Sequence, residues 1–402
     1  MTTTLRVLCW DHPRCTGPMA AAAAAYRAVR PDVVVRCEAR PLALFNDQPP
    51  WELGDGYDLA FVDHPMTGAA AERGALVPLD AVLPAERLAR IAADSLGHDA
   101  YAWGGRQWAL SVDVACQVAV VRADRLEVVP RTWDDVLALA GRTAGAVALT
   151  LAPADALCTL VSLSANAALA AGEPATWLRP EAVEFLVELA RLAHPVSIGL
   201  TPPRLLEHLA GDGGIVYAPF VFGYAVAARG PLVFTDVPGV DGHPRGAILG
   251  GAGLAVLPGG RHVAEAAAFA AWCMSADVQR TVLLTAGGQP GHGAVWDDPA
   301  SGAFFRDIRR SLAQAYVRPR DPWWPAYHRV AGGLLAEALR DGDGAASIHR
   351  RLADLADRHR EGVPSEAHAA PTARRGRRSR RVVGRDRTPT GGKETSLHGP
   401  ID

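Results

Sequence analysis

The 402-residue chain carries two short clusters whose residue types suit ligand chemistry, Trp10-Asp11-His12-Pro13 and Asp63-His64-Pro65. In each, a carboxylate that accepts hydrogen bonds stands beside an imidazole that donates or accepts one, a combination suited to hydroxyl-bearing or cationic ligands. Trp10 adds an aromatic face for stacking. Both clusters also have a structural reading: a surface turn with Trp10 capping the core, and an Asp63 that caps a helix beginning near Met66. Trp108 and Asp113 lie in one long apolar run, where a core Trp and a hinge-region acid compete with a ligand role. Phe222 and Tyr224 continue an aromatic stripe with Tyr217 and Phe220, at a spacing of two that also describes a sheet core. Gly250 and Gly251 permit close backbone approach or a simple bulge. His292 follows Gln289-Pro290-Gly291, and Trp323-Trp324 form a pair too apolar to stay wet unless they pack or bind.

Reaction chemistry leaves less trace. There is no G-x-S-x-G, H-E-x-x-H or P-loop, and Lys393 is the only lysine. The body therefore has no Schiff-base lysine and no Walker A lysine, and neither catalytic residues nor a cofactor are expected. Cys9, Asp11, His12 and Cys15 include no C-x-x-C spacing, so no metal is expected either.

Composition agrees with a globular protein, at 49% apolar and 21% charged residues. Residues 371–402 hold eight Arg, one Lys and three acids, so the formal charge of −2 leaves a net −8 on residues 1–370. An acidic body with a basic tail argues against nucleic-acid binding. No run reaches the roughly 18 apolar residues that a membrane span needs. The opening residues lack a basic n-region, an apolar h-region and a cleavage site, so the chain as written reads as cytoplasmic. A start further upstream would make it extracellular or membrane-associated. Six scattered cysteines read as reduced thiols.

Short β-branched runs alternate with Ala/Leu/Glu/Arg stretches of helical period, the pattern of an α/β protein. Strands are expected at 5–10, 33–38 and 57–63, with a helix at 19–30 between the first two and a short one at 69–73 after the third. The run 107–121 is too long for an ordinary strand and reads as a crossing between domains. Thr132 is placed as an N-cap, and helices are expected at 155–171, 180–193, 264–274, 324–339 and 345–358. Strand patterns occupy 215–225 and 247–257. From 361 onward Arg, Gly, Pro, Ser and Thr predict a disordered tail.

Four stretches in this order resemble the family 1 extracellular solute-binding proteins, the maltose-binding-protein-like branch of type II periplasmic binding proteins. They are YDLAFVDHPMTGAAAERGALVPLD (57–80), GGRQWALSVDVACQVAVVRADRL with PRTWDDVLALA (104–140), LGGAGLAVLPGGRHVAEAAAFAAWCMSADVQ (249–279) and RPRDPWWPAYHRVAGGLLAEAL (318–339). The resemblance implies a two-lobed α/β fold, each lobe a mainly parallel sheet flanked by helices, with a ligand cleft between them. It divides the chain into lobe 1 (1–110 and 253–305), lobe 2 (111–252 and 306–360) and the tail (361–402). It also implies a small polar, carbohydrate-like ligand and the role of an ABC-transporter solute-binding protein, with permease subunits as partners of a monomer. The loops carrying Trp10, Asp11, His12, Asp63, His64, Tyr224, His292, Trp323 and Trp324 would then face the cleft. A cytosolic sensor, or an enzyme or accessory subunit on the same fold, is the alternative.

Overall fold

The computed structural model describes residues 2–362; the expected disordered tail, apart from Glu361 and Gly362, lies outside the described residues. Residues Met1–Ser365 cluster as one compact unit. Its strands are β1 (Thr3–Trp10), β2 (Val33–Arg40), β3 (Leu59–Val62), β4 (Ala102–Trp103), β5 (Arg106–Gln107), β6 (Ala109–Arg122), β7 (Tyr217–Phe222), β8 (Leu232–Thr235) and β9 (Leu249–Val256). β4 and β5 form a separate hairpin. The others make one seven-stranded sheet in the order β2-β1-β3-β9-β6-β7, with β8 also paired to β6.

The pairs β2–β1 and β1–β3 are parallel, as expected for crossovers through helices. The strands that carry the chain back and forth, β9 and β6, run antiparallel to their neighbours. β6 joins the two halves of the fold. Its first part, Ala109–Cys116, pairs with β9, and its last part, Gln117–Arg122, pairs with β7 and β8. All fourteen of its residues are buried, which explains why its sequence lacks polar alternation. β6 exchanges partners at Cys116–Gln117.

Prolines set several helix starts, because a residue in the first turn has no intrahelical partner for its N–H. Pro13, Pro153, Pro180 and Pro202 each open a helix. The first helix therefore spans Pro13–Val29, beginning six residues before the expected 19–30. Thr132 accepts from Asp135 N while the Asp135 carboxylate accepts from Thr132 N, a capping box as placed from the sequence. Short helices at Leu42–Asp47, Ala85–Asp94, Pro202–Ala210 and Arg309–Ala313 were not expected.

Helix Pro153–Ala170 has the length and mean hydropathy of a membrane span, yet two-thirds of it is buried inside the fold. It packs against helix Trp324–Asp341 in a core that also holds Trp133, Phe220, Leu335 and Leu352. A second core lies under β1, where Leu5, Val7, Met19, Phe61, Leu254 and Phe269 meet. The polar groups described next lie where β1, β3, β6 and β7 end or cross between these cores.

Candidate functional site

At the end of β1 the chain turns into the first helix. His12 caps that helix, its Nδ1 accepting from Arg14 N at 3.1 Å. The half-buried His12 ring lies 4.8 Å from the Tyr224 ring, and Asp11 is exposed beside it. Arg14 turns inward from the first helical turn. Its Nε donates to Asp113 Oδ2 at 2.9 Å, its Nη2 donates to Asp113 Oδ1, and its Nη1 donates to Gly223 O at 3.0 Å. The Arg14 guanidinium also lies 5.3 Å from the centre of the Tyr224 ring. One arginine thus ties the first helix, the crossing strand β6 and the end of β7 together.

Gln289 closes the same junction. Its Nε2 donates to Val114 O at 3.1 Å and its Oε1 accepts from Ala225 N at 2.9 Å. A cavity of about 20 Å³ lined by Trp10, Arg14, Asp113 and Gln289 has room for a single water. Burial pushes the Asp113 carboxyl up, and Arg14 only partly offsets that.

A second polar group gathers at the end of β3. Both Asp63 oxygens accept from Arg318 Nη2 at 2.9 Å, and His64 Nδ1 lies 3.4 Å from Asp63 Oδ1. Burial would raise the Asp63 carboxyl, but Arg318 and His64 outweigh it and hold it well below the usual carboxylate range. Asp63 makes no side-chain cap, so its capping reading is replaced by this ion pair. The Arg318 Nη1 reaches Cys158 Sγ at 3.9 Å, and Cys158 Sγ lies 3.6 Å from His328 Nε2. Burial and Arg318 hold His64 down to about 4 and His328 down to about 3. Burial pushes the Cys158 thiol up to about 12. A neutral thiol beside a neutral imidazole is not the ion pair an acyl-transfer nucleophile requires. Asp155, half-buried in the first turn of helix Pro153–Ala170, is pushed up by burial to about 7, with Arg318 pulling the other way.

The remaining residues singled out from the sequence divide between this junction and the cores. Trp10 is 4% exposed and packs on Phe45 and on the edge of Phe61, so its ring belongs to the core rather than to an open face. His64 is wholly buried and meets Tyr101 edge-on, pointing away from solvent although its neighbour Asp63 does not. Trp108 is buried and its Nε1 donates to Trp103 O at 2.9 Å. His292 caps the short helix Gly293–Trp296 through Nδ1 and lies 3.7 Å from Asp94. Trp324 is fully buried among Trp177, Trp323 and Tyr327, while Trp323 is partly buried beneath the Arg360 guanidinium. Phe222 lies over Gly250, where a Cβ would stand 2.6 Å from its ring. Gly251 has φ +100° and a Cβ there would meet Asp113 O at 2.3 Å; it pairs with Val114, just beyond the register shift that falls between Leu110 and Asp113. Among the described residues no three His, Cys, Asp or Glu side chains converge as a metal site.

Arg14, Arg318, Asp155 and His328 were missed. Arg14 follows the DHP cluster directly and Arg318 opens the RPRDPWW segment, but nothing local marks either as a partner of a distant aspartate.

Residues 52–295 match the bacterial extracellular solute-binding protein family. Among similar solved structures, an ABC transporter solute-binding protein from Thermotoga lettingae bound with α-D-tagatose superposes with a TM-score of 0.74 at 16% identity, covering 89% of this chain and 100% of that one. The GacH receptor of Streptomyces glaucescens, described unliganded and with acarbose, gives 0.72 at 16% identity, covering 89% and 98%. A solute-binding protein from Agrobacterium radiobacter in complex with ribitol gives 0.69 at 19% identity, covering 90% and 98%. These likenesses show a shared two-lobed fold.

Proposed function

We propose, from the premise that the chain belongs to the bacterial extracellular solute-binding protein family, that it binds a small polyhydroxylated ligand between its lobes and delivers it to an ABC-type permease. The observation that carries this reading is the junction itself. Two polar groups stand at the ends of strands there, one around the Arg14–Asp113 pair with Tyr224 and one around the Arg318–Asp63 pair. Such a site is charge-balanced. An uncharged ligand enters it without leaving a buried charge unpaired, whereas a multiply charged one does not. The three relatives described with α-D-tagatose, acarbose and ribitol point to the same polyhydroxylated class.

Membership of a family of binding proteins supports binding rather than catalysis, and the Cys158–His328 contact, held neutral on both sides, is in keeping with it. A receptor for an importer works outside the membrane, and the family is extracellular. The test is a thermal-shift and tryptophan-fluorescence titration of the full chain with D-tagatose, ribitol, D-mannitol and maltose. A ligand at 100 times its Kd adds about 2.7 kcal/mol of stability. No response to any neutral sugar or polyol, with saturable binding of a dicarboxylate, would overturn the reading.

A further inference from the structure

We infer that Arg318 determines the charge class of ligand the site accepts, by neutralising Asp63, so that removing it converts a site for neutral polyols into one for their cationic amine analogues. The inference rests on the binding reading above and names the residue that sets its specificity.

The geometry is that of a charge balance. Asp63 ends β3 with its side chain 17% exposed, and Arg318 Nη2 holds both of its oxygens at 2.9 Å. Arg318 is only 5% exposed and comes from a segment 255 residues away in sequence, placed by the helix it precedes. Its Nε is buried with no hydrogen-bond partner among the described residues, and Nη1 has only a weak sulfur contact. The guanidinium is therefore not consumed by a structural network; its strong bonds go to Asp63 alone.

With Arg318 in place, none of the other described groups beside Asp63 carries a positive charge. His64 and His328 are neutral at physiological pH, and Cys158 is a neutral thiol. Arg320, two residues on, donates instead to Ala102 O at 2.9 Å and to Asp99 O. With Arg318 in place the part-exposed Asp63 side chain accepts hydrogen bonds from hydroxyls as one half of a neutral pair. An ammonium placed there would meet the guanidinium as well as the carboxylate. Without Arg318 the carboxylate is a partly buried, uncompensated anion, and an ammonium becomes its natural partner.

The experiment compares neutral probes (D-mannitol, ribitol, D-tagatose and maltose) with their amino-deoxy analogues by calorimetric titration of the full chain at pH 6. The wild type, R318K, R318M and the double variant D63N/R318M are measured. The expected result is that the wild type and R318K prefer the neutral probe, R318M prefers the amine by at least about tenfold, and D63N/R318M returns to the neutral probe. A purely structural role for Arg318 would weaken both probes alike in R318M and would not be rescued by D63N. Folded R318M that keeps the wild-type preference overturns the inference and leaves the binding reading standing. A wild type that binds neither neutral nor amino probes overturns both. Should R318M fail to fold, D63N alone is decisive, with D-glucuronate and D-glucose added as an anionic and a neutral probe: it leaves Arg318 unpaired and is expected to gain affinity for D-glucuronate over D-glucose relative to the wild type, and no such gain overturns the inference.

Discussion

Arg14 Nε donates to Asp113 Oδ2 at 2.9 Å although 99 positions separate them, and the same guanidinium reaches Gly223 O at 3.0 Å. Asp113 lies on β6, in the part that pairs with β9, while Gly223 follows β7 on the other side of the partner exchange. One buried side chain therefore fixes the first helix against the strand that both halves of the sheet share. Asp63 and Arg318 repeat the relationship at the end of β3.

Arg14→Met removes the cation and leaves Asp113 buried. Breaking one side of such a pair costs about 3–5 kcal/mol, and protonation of the already raised Asp113 carboxyl keeps the loss toward the lower end. Urea unfolding at neutral pH measures it. The double variant R14M/D113N should recover much of the loss, and equal stability of Arg14→Met and wild type would contradict the assignment.

Stability should depend on pH through the cluster around Asp63. Folded His64 and His328 titrate at about 4 and about 3, whereas an unfolded histidine titrates near ~6.5. Between these limits the unfolded chain binds two more protons at these sites, so stability falls as pH falls. Asp155, raised to about 7, binds a proton in the folded state over the same window and offsets one of the two; Asp113, also raised, works in Asp155's direction. His64, His328 and Asp155 together give a loss of up to about 1.4 kcal/mol per pH unit on acidification from about pH 6 to about pH 5, and His12 and His98, also lowered by burial, act in the same direction. Asp155→Asn should steepen that slope. Unfolding free energies that stay flat in both proteins, or rise on acidification, would exclude the scheme.

Gly251→Ala should be severe, because the residue stands at φ +100° and the new Cβ would lie 2.3 Å from Asp113 O. Backbone strain alone costs about 1–3 kcal/mol, and the displaced β6 carbonyl adds to it. Gly250→Ala, with φ in the ordinary range, should instead push the Phe222 ring aside at smaller cost. Melting temperatures rank the two, and a Gly251→Ala protein as stable as Gly250→Ala would be inconsistent with this packing.

Trp10 separates a core role from a ligand role. Its contacts with Phe45 and Phe61 make Trp10→Ala cost about 3–5 kcal/mol. Trp10→Phe should keep ligand affinity while losing part of that stability. Lost affinity at unchanged stability would return Trp10 to the ligand.

Much of this site was legible one half at a time. Asp63 and Asp113 announce themselves because an acid inside or at the end of a buried strand needs a reason to be there. Their partners do not, since Arg14 and Arg318 are ordinary arginines until the fold closes loops of 99 and 255 residues. His12 and His292 were singled out as ligand candidates, and in the fold both cap helices. The paired tryptophans did require packing, but on Trp177 and Tyr327. Strand order was partly readable: hydrophobic runs located β1, β3, β6 and β9, yet run length carries no direction, so the antiparallel course of β9 and β6 appeared only in the fold.

The central claim is that this junction holds an uncharged, polyhydroxylated ligand. Calorimetric titration of the full chain with D-tagatose, ribitol, D-mannitol and maltose, set beside a dicarboxylate and a diamine of similar size, tests it most directly. Saturable one-to-one binding of at least one neutral probe, weakened by Asp63→Asn, is the predicted result. Binding of the dicarboxylate or the diamine alone, indifferent to Asp63→Asn, would contradict it.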